Sequence, residues 1–323
     1  MISRVTAVAH ANIALVKYWG KQRGKQNAPA TPSISLALDS LETKTRIERI
    51  KSKQDQFIIN GKSSDKVSSD RLTAYLNIWR QKKLIDGSFR VKSQNNFPTK
   101  AGLASSSSGY AALAAGLNFF AHKQLNPAEL SKLARIGSGS AARSIIGGLA
   151  ALPNSPDPAA RLILSPDKLP WGMVIAAVGE AEKEIGSGQG MKSSQLTSPY
   201  YRNWIKTAES DYRNMLTAIK NLDFTRIGEI MEANTLAMQA CMIATRPSLI
   251  YWTGPTIDIL KAVKEWRKKG LEAYATTDAG PQVAILARQA DLRKISSKLK
   301  RIKSIKRVIT GYPVGGARVI EWD

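Results

Sequence analysis

Residues 95–109 of this 323-residue chain read NNFPTKAGLASSSSG. The segment leads from a short predicted strand at 89–93, through a loop rich in Gly and Ser, into an Ala-rich run at 105–122 that favours a helix. That order aims free backbone N–H groups and the positive end of a helix dipole at one point, which suits a phosphate. The P-loop and G-x-G-x-x-G patterns are both absent. Taken alone, the residues fit a phosphate site and a plain Ser-rich helix start equally well.

The rest of the chain predicts a mixed fold in which strands and helices do not alternate strictly. The first half contains β-branched or alternating segments typical of strands, and the second half has mostly apolar residues at helical spacing. We therefore expect an α+β protein with two parts, residues 1–180 and residues 181–323. A Gly-rich segment at 185–190 predicts a flexible loop just after this boundary.

The chain is strongly basic, with 48 Lys and Arg residues against 25 Asp and Glu, a formal charge of +23 and a pI near 10.1. Nine of the basic residues lie between Arg288 and Arg307. A basic balance suggests nucleic acid, an acidic surface or polyanionic small molecules as partners, and charge alone does not choose among them. A solvated basic face explains the 288–307 run equally well.

The counts of a few residue types exclude several classes of site. Cys241 is the single cysteine, and the two histidines are His10 and His122. An intramolecular disulfide is therefore impossible, and Cys/His zinc sites and a Cys–His nucleophile pair are disfavoured. The first residues do not form a signal peptide, and no run of eighteen apolar residues occurs. We expect a soluble cytoplasmic protein without a membrane span.

Three further loops carry polar residues that suit a phosphorylated ligand. Residues 137–144 read GSGSAARS, in which Arg143 offers a bidentate fork to a carboxylate or phosphate. Residues 18–21 read YWGK after an apolar run, and Asp278 stands between a predicted strand and a Gly-Pro turn. Each loop also has a structural explanation: a glycine-hinged turn, a strand end, or an Asp that caps its own backbone. The 137–144 segment lacks a G-x-S-x-G elbow, which argues against a serine hydrolase.

Taken together, these segments resemble the GHMP kinases, and within them the diphosphomevalonate decarboxylase family. The resemblance rests on AHANIALVKYWGK at 9–21, SIS at 33–35, the 95–109 and 137–144 segments, and DAGP at 278–281. These motifs follow the family's order and span almost the whole chain. The YWGK and GSGSxxRS segments are specific to the decarboxylases, whereas the Ser-rich loop is shared with the wider kinase family.

The resemblance implies a fold and a reaction. The fold has an N-terminal part like ribosomal protein S5 domain 2, a ferredoxin-like C-terminal part, and a deep cleft between them. The reaction uses ATP and Mg²⁺ to phosphorylate the tertiary 3-hydroxyl of (R)-5-diphosphomevalonate. Phosphate and CO₂ then leave, which gives isopentenyl diphosphate. A homodimer is implied in the same way.

The resemblance also implies roles for individual residues. A tertiary alcohol is a poor nucleophile, so a carboxylate must orient it and accept its proton, and Asp278 stands at that position. Lys21 is implied as the cation that keeps this base ionised, and Arg143 as the group that holds the departing carboxylate. The implied substrate contacts are Tyr18, Ser138, Gly139, Ser140, Ser187 and Met191. The implied ATP contacts are Ser93, Asn95, Gly102, Ser105, Ser106, Ser107 and Ser108, and no Mg²⁺ ligand is identified.

Three positions depart from the family pattern. Lys100 and Ser107 replace small residues in the ATP loop and are expected to preserve its function. Gly188 lies in the segment GSGQGM, residues 186–191, where the resemblance implies an arginine that grips the substrate diphosphate. Either another basic residue substitutes for that arginine, or the substrate carries a single phosphate.

Several functions therefore stay open at the level of the sequence. The first is decarboxylation of diphosphomevalonate, and the nearest alternative is a 5-phosphomevalonate decarboxylase that gives isopentenyl phosphate. A mevalonate-type kinase that stops at phosphorylation is disfavoured because Asp278, Lys21 and Arg143 occur together. A basic RNA-binding protein is a remote alternative, since no RNP-type aromatic signature is present.

Overall fold

The structure, a computed structural model, describes residues 3–24, 26–97, 105–179 and 185–323. Within those ranges the chain forms one eight-stranded sheet, one four-stranded sheet and nine α-helices, which confirms the predicted α+β class. The first sheet contains β1 (Arg4–Val16), β2 (Ser33–Ile50), β3 (Gln56–Ile59), β4 (Lys62–Ser63), β5 (Ser88–Asn95), β6 (Leu149–Leu152), β7 (Arg161–Leu164) and β12 (Arg318–Trp322). The second sheet contains β8 (Trp171–Ala177), β9 (Ala273–Thr277), β10 (Val283–Arg288) and β11 (Arg307–Gly311).

The helices cover these sheets or lie between them. They are α1 (Lys66–Gln81), α2 (Ser105–Phe120), α3 (Pro127–Gly137), α4 (Ala141–Ile146), α5 (Ser187–Thr197), α6 (Tyr201–Lys220), α7 (Phe224–Ile243), α8 (Gly254–Lys268) and α9 (Leu292–Lys300). The order of the first sheet is β12-β1-β2-β5-β3-β4, with β6 beside β2 and β7 beside β6, and that of the second is β11-β8-β10-β9.

Helix α2 packs against the first sheet and explains its Ala-rich sequence. Ten of its residues are buried, so the apolar run covers most of the helix surface rather than one stripe. A Cβ atom at Gly116 would lie 2.6 Å from the side chain of Ile47 on β2. The glycine therefore allows helix and sheet to approach closely, which offsets its poor helix propensity.

Helices α6 and α7 connect the two sheets. Met215 and Ile219 of α6 and Ile227 and Met231 of α7 share one buried apolar cluster with residues of both sheets. A second cluster lies between the first sheet and α1 to α4, and a third between the second sheet and α8 and α9. Because α7 packs against both β1 and β9, it fixes the ends of these strands relative to each other.

The two sheets exchange strands across the predicted boundary at residue 180. Strand β8 precedes that boundary yet lies in the middle of the second sheet, and β12 returns from the C-terminal part to pair with β1. Residue 180 itself lies outside the described residues, so the division into 1–180 and 181–323 stays a prediction. The segment at 185–190 is not simply the flexible loop expected there, since α5 begins at Ser187 and buries Met191.

Candidate active site

One cleft brings together most of the residues predicted to carry chemistry. Its volume is about 520 Å³. All three predicted catalytic residues and all six predicted substrate contacts line it: Asp278, Lys21, Arg143, Tyr18, Ser138, Gly139, Ser140, Ser187 and Met191. Further lining residues come from β1, α1, α5 and α7, so the cleft lies where both halves of the chain meet.

A buried ion pair lies in this cleft. Lys17 Nζ is 2.7 Å from Asp278 Oδ1, and the lysine side chain is 1 % exposed against 28 % for the aspartate. Lys17 follows β1 directly and Asp278 follows β9 directly, so each sheet contributes one partner. Burial lowers the pKa of Lys17, the Asp278 carboxylate opposes that shift, and the nearby Arg143 adds to it.

The sequence assigned the cation beside Asp278 to Lys21, and the structure corrects this to Lys17. Lys21 lies elsewhere in the cleft lining, where burial and the neighbouring Arg71 lower its pKa. Lys17 belongs to the same quoted motif, four residues earlier. The signal that identifies it is its position directly after a thirteen-residue strand of which twelve residues are buried, because a lysine there is carried into the interior.

Arg143 is buried without a carboxylate in direct contact among the described residues. Its guanidinium donates hydrogen bonds to Ser35 Oγ at 2.7 Å and to Ser33 Oγ, and more weakly to Asn12 Oδ1 at 3.4 Å. Burial lowers its pKa to about 10, although Asp278 opposes the shift. A guanidinium has five N–H donors, so this arrangement leaves donors for a ligand carboxylate or phosphate.

Asn12 links Arg143 to the neighbouring loop. Its amide donates to Ser140 O at 3.1 Å and to Ser144 Oγ at 2.8 Å. The hydroxyl of Ser144 in turn donates to the carbonyl of His10 at 2.7 Å. The 137–144 segment is therefore tied to β1, which explains why a short loop presents its serines to the cleft in a fixed orientation.

Tyr18 packs against the same loop. Its hydroxyl donates to the carbonyl of Asn27 at 3.1 Å, and burial raises the pKa of the phenol well above its usual range. A Cβ atom at Gly139 would lie 2.5 Å from the Tyr18 hydroxyl oxygen. Only glycine allows this approach, and the phenol reaches the cleft as a neutral group.

The Ser-rich segment contributes one side-chain hydroxyl to the described lining of the cleft. Ser106 lines the cleft, and its Oγ lies 3.2 Å from Ser138 Oγ. Ser107 and Ser108 are fully buried, and Ser108 Oγ lies 2.6 Å from Thr43 Oγ1. Ser105 begins α2 but is not among the residues that line the cleft. The start of α2 also offers backbone N–H groups, and such groups at helix N-termini are suited to phosphates.

The other predicted ATP contacts lie outside the cleft lining or outside the described residues. Ser93 Oγ lies 2.9 Å from Thr45 Oγ1, and Asn95 Oδ1 lies 2.5 Å from Thr43 Oγ1, both between β5 and β2. Neither residue is among the cleft-lining set. Gly102 and Lys100 fall within 98–104, which the structure does not describe.

A cationic region lies around the start of α5. Lys21 Nζ lies 3.8 Å from the position that a Cβ atom of Gly188 would occupy, and Arg71 of α1 lines the same part. The first residues of α5, Ser187 to Gln189, also line the cleft and have backbone N–H groups at a helix start. Sequence reasoning missed Arg71, because nothing in the α1 pattern shows which of its exposed residues faces the cleft.

The described lining of the cleft has an excess of positive charge. It contains Lys17, Lys21, Arg71 and Arg143 against one carboxylate, Asp278. Such an excess favours an anionic ligand. Within the described ranges no group of three or more His, Cys, Asp or Glu side chains could hold a metal ion.

Comparison with known proteins accounts for this arrangement. Residues 9–159 match the family model of the diphosphomevalonate decarboxylase-like N-terminal domain, and residues 173–315 match that of the mevalonate 5-diphosphate decarboxylase C-terminal domain. The chain belongs to the diphosphomevalonate decarboxylase family.

Individual relatives agree with this membership. The diphosphomevalonate decarboxylase of Candida albicans is 33 % identical over 91 % of this chain and 87 % of its own length. The human enzyme is 32 % identical over 88 % of this chain and 76 % of its own length. The mevalonate diphosphate decarboxylase of Staphylococcus aureus is 36 % identical with a TM-score of 0.93, and each chain covers 99 % of the other.

A further structural relative carries ligands. MDDEF in complex with MVAPP, AMPPCP and magnesium is 35 % identical, with a TM-score of 0.92, and the match covers 99 % of this chain and 100 % of that one. The similarity confirms the two-part decarboxylase fold expected from the sequence. No described helix is long and apolar enough to cross a membrane.

Proposed function

We propose that this member of the family catalyses ATP-dependent decarboxylation of (R)-5-diphosphomevalonate to isopentenyl diphosphate. The observation that carries the proposal is the Lys17–Asp278 ion pair at 2.7 Å, which lies in one cleft with the buried guanidinium of Arg143. A carboxylate that is held in place by an ammonium can accept the proton of an alcohol, and a guanidinium can bind the carboxylate of the same substrate. Membership of the decarboxylase family supports both assignments.

The first chemical step is phosphorylation of the 3-hydroxyl. Asp278 accepts the hydroxyl proton as the substrate oxygen attacks the γ-phosphorus of ATP, and ADP leaves. Lys17 holds the Asp278 carboxylate in place, so that one of its oxygens faces the alcohol. The backbone N–H groups at the start of α2, together with the Ser106 hydroxyl, bind the triphosphate and stabilise charge as it moves between oxygens.

The second step breaks two σ bonds and forms two double bonds, one between C2 and C3 and the second C=O of CO₂. The C3–O bond breaks and releases phosphate, and the electrons of the bond between the carboxyl carbon and C2 form the C2–C3 double bond as CO₂ leaves. Arg143 orients the departing carboxylate, and its hydrogen bonds to Ser33 and Ser35 keep the guanidinium fixed. The anionic groups bound around C3 tolerate the positive charge that develops there.

MgATP enters this mechanism as a substrate. The described residues provide no carboxylate cluster for a resident metal, but a Mg²⁺ ion carried by the ATP phosphates needs only one or two further ligands. Asp278 is the single carboxylate among the described lining residues, and Ser106 is the hydroxyl from the ATP loop. These two side chains fit an ion that phosphate oxygens already bind.

The diphosphate is favoured over the monophosphate despite Gly188. The ammonium of Lys21 lies beside Gly188, Arg71 adds a second cation, and the start of α5 adds free N–H groups. Three sources of positive charge suit a diphosphate better than a single phosphate. We infer that Lys21 and Arg71 supply the charge that the missing arginine would have provided.

A substrate assay tests the proposed function against its alternatives. The protein is incubated with ATP and mevalonate, 5-phosphomevalonate or 5-diphosphomevalonate, and the release of CO₂ and inorganic phosphate is measured. We expect stoichiometric release of both from the diphosphate. Release of CO₂ and phosphate from 5-phosphomevalonate alone would show that the substrate is the monophosphate. Formation of a phosphorylated product without CO₂ would show that the protein is a kinase. Asp278→Ala serves as the control, since it should bind ATP without turnover.

The remaining expectations concern the surroundings of the enzyme. We propose a homodimer in the cytoplasm, by analogy with the family and because Cys241 is the single cysteine and is buried. We propose no nucleic-acid partner, since the sequence carries no RNP-type aromatic signature. Gel filtration and an RNA-binding assay at physiological salt check these two points.

A further inference from the structure

Helix α7 carries three polar side chains in the protein interior. Asn234, Thr235 and Gln239 are each at most 2 % exposed, whereas the other buried residues of α7 are apolar side chains, one glycine and one cysteine. Burying an amide costs free energy unless its donors and acceptor are hydrogen-bonded. The hydrogen-bond partners of the two amides, Asn234 and Gln239, therefore indicate their structural role.

Asn234 holds the main chain of Lys17. Its Oδ1 accepts the backbone N–H of Lys17 at 2.8 Å, and this N–H comes directly after the last residue of β1. Its Nδ2 donates to Asp211 Oδ2 on α6 at 2.9 Å. A carboxylate in its charged form only accepts hydrogen bonds, so Asp211 determines which end of the amide faces Lys17. On the other side, Thr31 Oγ1 donates to the carbonyl of Lys17 at 3.3 Å.

Gln239 holds the main chain of Asp278 in a similar way. Its Nε2 donates to the carbonyl of Asp278 at 3.2 Å and to Thr277 Oγ1 at 3.0 Å. Thr277 is the last residue of β9, and the indole of Trp252 also donates to its hydroxyl, at 2.9 Å. The backbone that carries the aspartate is thus fixed where it leaves the second sheet.

We infer that Asn234 and Gln239 are positioning residues, through which α7 sets the distance between the Lys17 ammonium and the Asp278 carboxylate. The two amides are five residues apart, which is about 7.5 Å along a helix axis. Each amide is hydrogen-bonded to the backbone at the end of one strand, and the two strands belong to different sheets. The inference rests on the proposed function, in which this ion pair abstracts the hydroxyl proton. Asp211 contributes to the same positioning because it orients the Asn234 amide.

Replacement of each amide by leucine tests the inference. Asn234→Leu removes the acceptor for the Lys17 N–H, and Gln239→Leu removes the donor to the Asp278 carbonyl, with little change in volume. A misplacement of about 1 Å costs on the order of 10²-fold in rate. We expect kcat to fall by about that factor in each variant, whereas KM for both substrates and the affinity for a non-hydrolysable ATP analogue change by less than about threefold.

A matched control lies on the same helix. Thr235→Val also removes a buried hydrogen bond between α7 and β9, the 2.8 Å contact of Thr235 Oγ1 with Thr276 Oγ1, but neither threonine is a member of the ion pair. We expect this variant to lose thermal stability and to keep kcat. A loss of kcat in Asn234→Leu or Gln239→Leu no larger than that in Thr235→Val would overturn the inference.

An exchange of side chains provides the rescue. In the double variant Asn234→Asp with Asp211→Asn, the new carboxylate can accept the Lys17 N–H and the new amide can donate to that carboxylate, so both hydrogen bonds are restored. Recovery of kcat in the double variant supports the inference, and failure to recover kcat in a folded double variant contradicts it. If Asn234→Leu does not fold, Gln239→Leu and the double variant still decide.

Crystal structures of the variants separate this inference from the proposed function. The Lys17 Nζ–Asp278 Oδ1 distance is expected to increase in Asn234→Leu and to stay near 2.7 Å in Thr235→Val. If the unmodified enzyme releases no CO₂, the proposed function fails while the distances still test α7. If the distance is unchanged in both leucine variants, the inference about α7 fails and the proposed function stands.

Discussion

At the scale of single residues, the cations of the cleft divide into two kinds of role. Lys17 is buried, with 1 % of its side chain exposed, and is paired with Asp278, whereas Lys21 lies beside Gly188 and Arg71 in the part that suits the substrate phosphates. A group that acts on the reacting atoms affects kcat, and a group that binds a remote phosphate equally in ground and transition states affects KM.

Replacement of the two lysines by methionine should therefore give opposite kinetic signatures. Lys17→Met should lower kcat by about 10²- to 10⁴-fold, because Asp278 loses the partner that positions it as a general base. Lys21→Met should raise KM for diphosphomevalonate by about tenfold and change kcat little. Steady-state assays of both variants check this, and a high KM with normal kcat in Lys17→Met would reverse the two assignments.

The burial of Lys17 also predicts a pH dependence. Burial lowers its pKa, partly offset by Asp278, so the ammonium is present below that lowered pKa and is lost as the pH rises through it. The alkaline limb of kcat is therefore expected below the ordinary lysine value of about 10.4. In Lys17→Arg a guanidinium, whose ordinary pKa lies above that of an ammonium, replaces the titrating lysine, so the alkaline limb of the remaining activity should move to higher pH. A limb that stays in place in Lys17→Arg would assign it to another group.

At the scale of elements, the turn after β1 depends on a glycine. Gly20 has a φ of +116°, and a Cβ atom there would lie 2.1 Å from the Tyr201 hydroxyl oxygen on α6. Gly24 also has a positive φ, +67°, but no described atom lies within 4 Å of its Cβ position. Alanine substitutions at Gly20 and Gly24 therefore separate the free-energy cost of the backbone conformation from that of the steric clash with Tyr201.

Gly20→Ala should lower the free energy of unfolding by about 3 kcal/mol, since backbone strain and overpacking add. Gly24→Ala should cost only about 1 kcal/mol, the penalty of a left-handed conformation for alanine. Urea denaturation of both variants checks the difference. Equal losses would mean that Tyr201 moves aside without cost.

The elements also show where sequence reasoning succeeds and where it stops. The strand at 89–93 and the helix at 105–122 were predicted from local patterns, and the structure has β5 and α2 there, whereas residues 98–104 of the loop lie outside the described residues. The assignment of Lys21 rather than Lys17 beside Asp278 was wrong, because both lysines belong to one motif and only packing shows which of them faces β9. The start of α5 was missed because its glycines suggest a loop, whereas the burial of Met191 and Ser194 stabilises a helix.

At the scale of the whole molecule, the site depends on contacts that local patterns do not encode. Lys17 and Asp278 are 261 residues apart in sequence, and Arg143 and Ser33 are 110 apart. The sheet to which β8 and β12 belong also depends on long-range contacts, since no local signal in either strand shows which sheet it joins. The resemblance to a family predicted the cleft, but the partner of each side chain required the structure.

The charge of the whole chain divides in the same way. Four cations belong to the described lining of the cleft, while α9 and the segment after it carry Arg293, Lys294, Lys300 and Arg301, all exposed. At 150 mM salt the Debye length is about 8 Å, so surface charges away from the cleft act weakly on a substrate inside it. The excess of basic residues and the catalytic cations are therefore separate features of this chain.

Neutralisation of that surface tests the separation. Replacing Arg293, Lys294, Lys300 and Arg301 by glutamine removes four charges without touching the described cleft lining, so kcat and KM at 150 mM salt should stay within about twofold of the unmodified enzyme. At low salt a modest fall in kcat/KM is expected, because long-range attraction of anionic substrates is less screened there. Lys21→Met provides the contrast, since its effect on KM should persist at both salt concentrations. A tenfold rise of KM in the quadruple variant at 150 mM salt would show that the α9 surface takes part in substrate capture, and the net charge of +23 would then have a catalytic explanation.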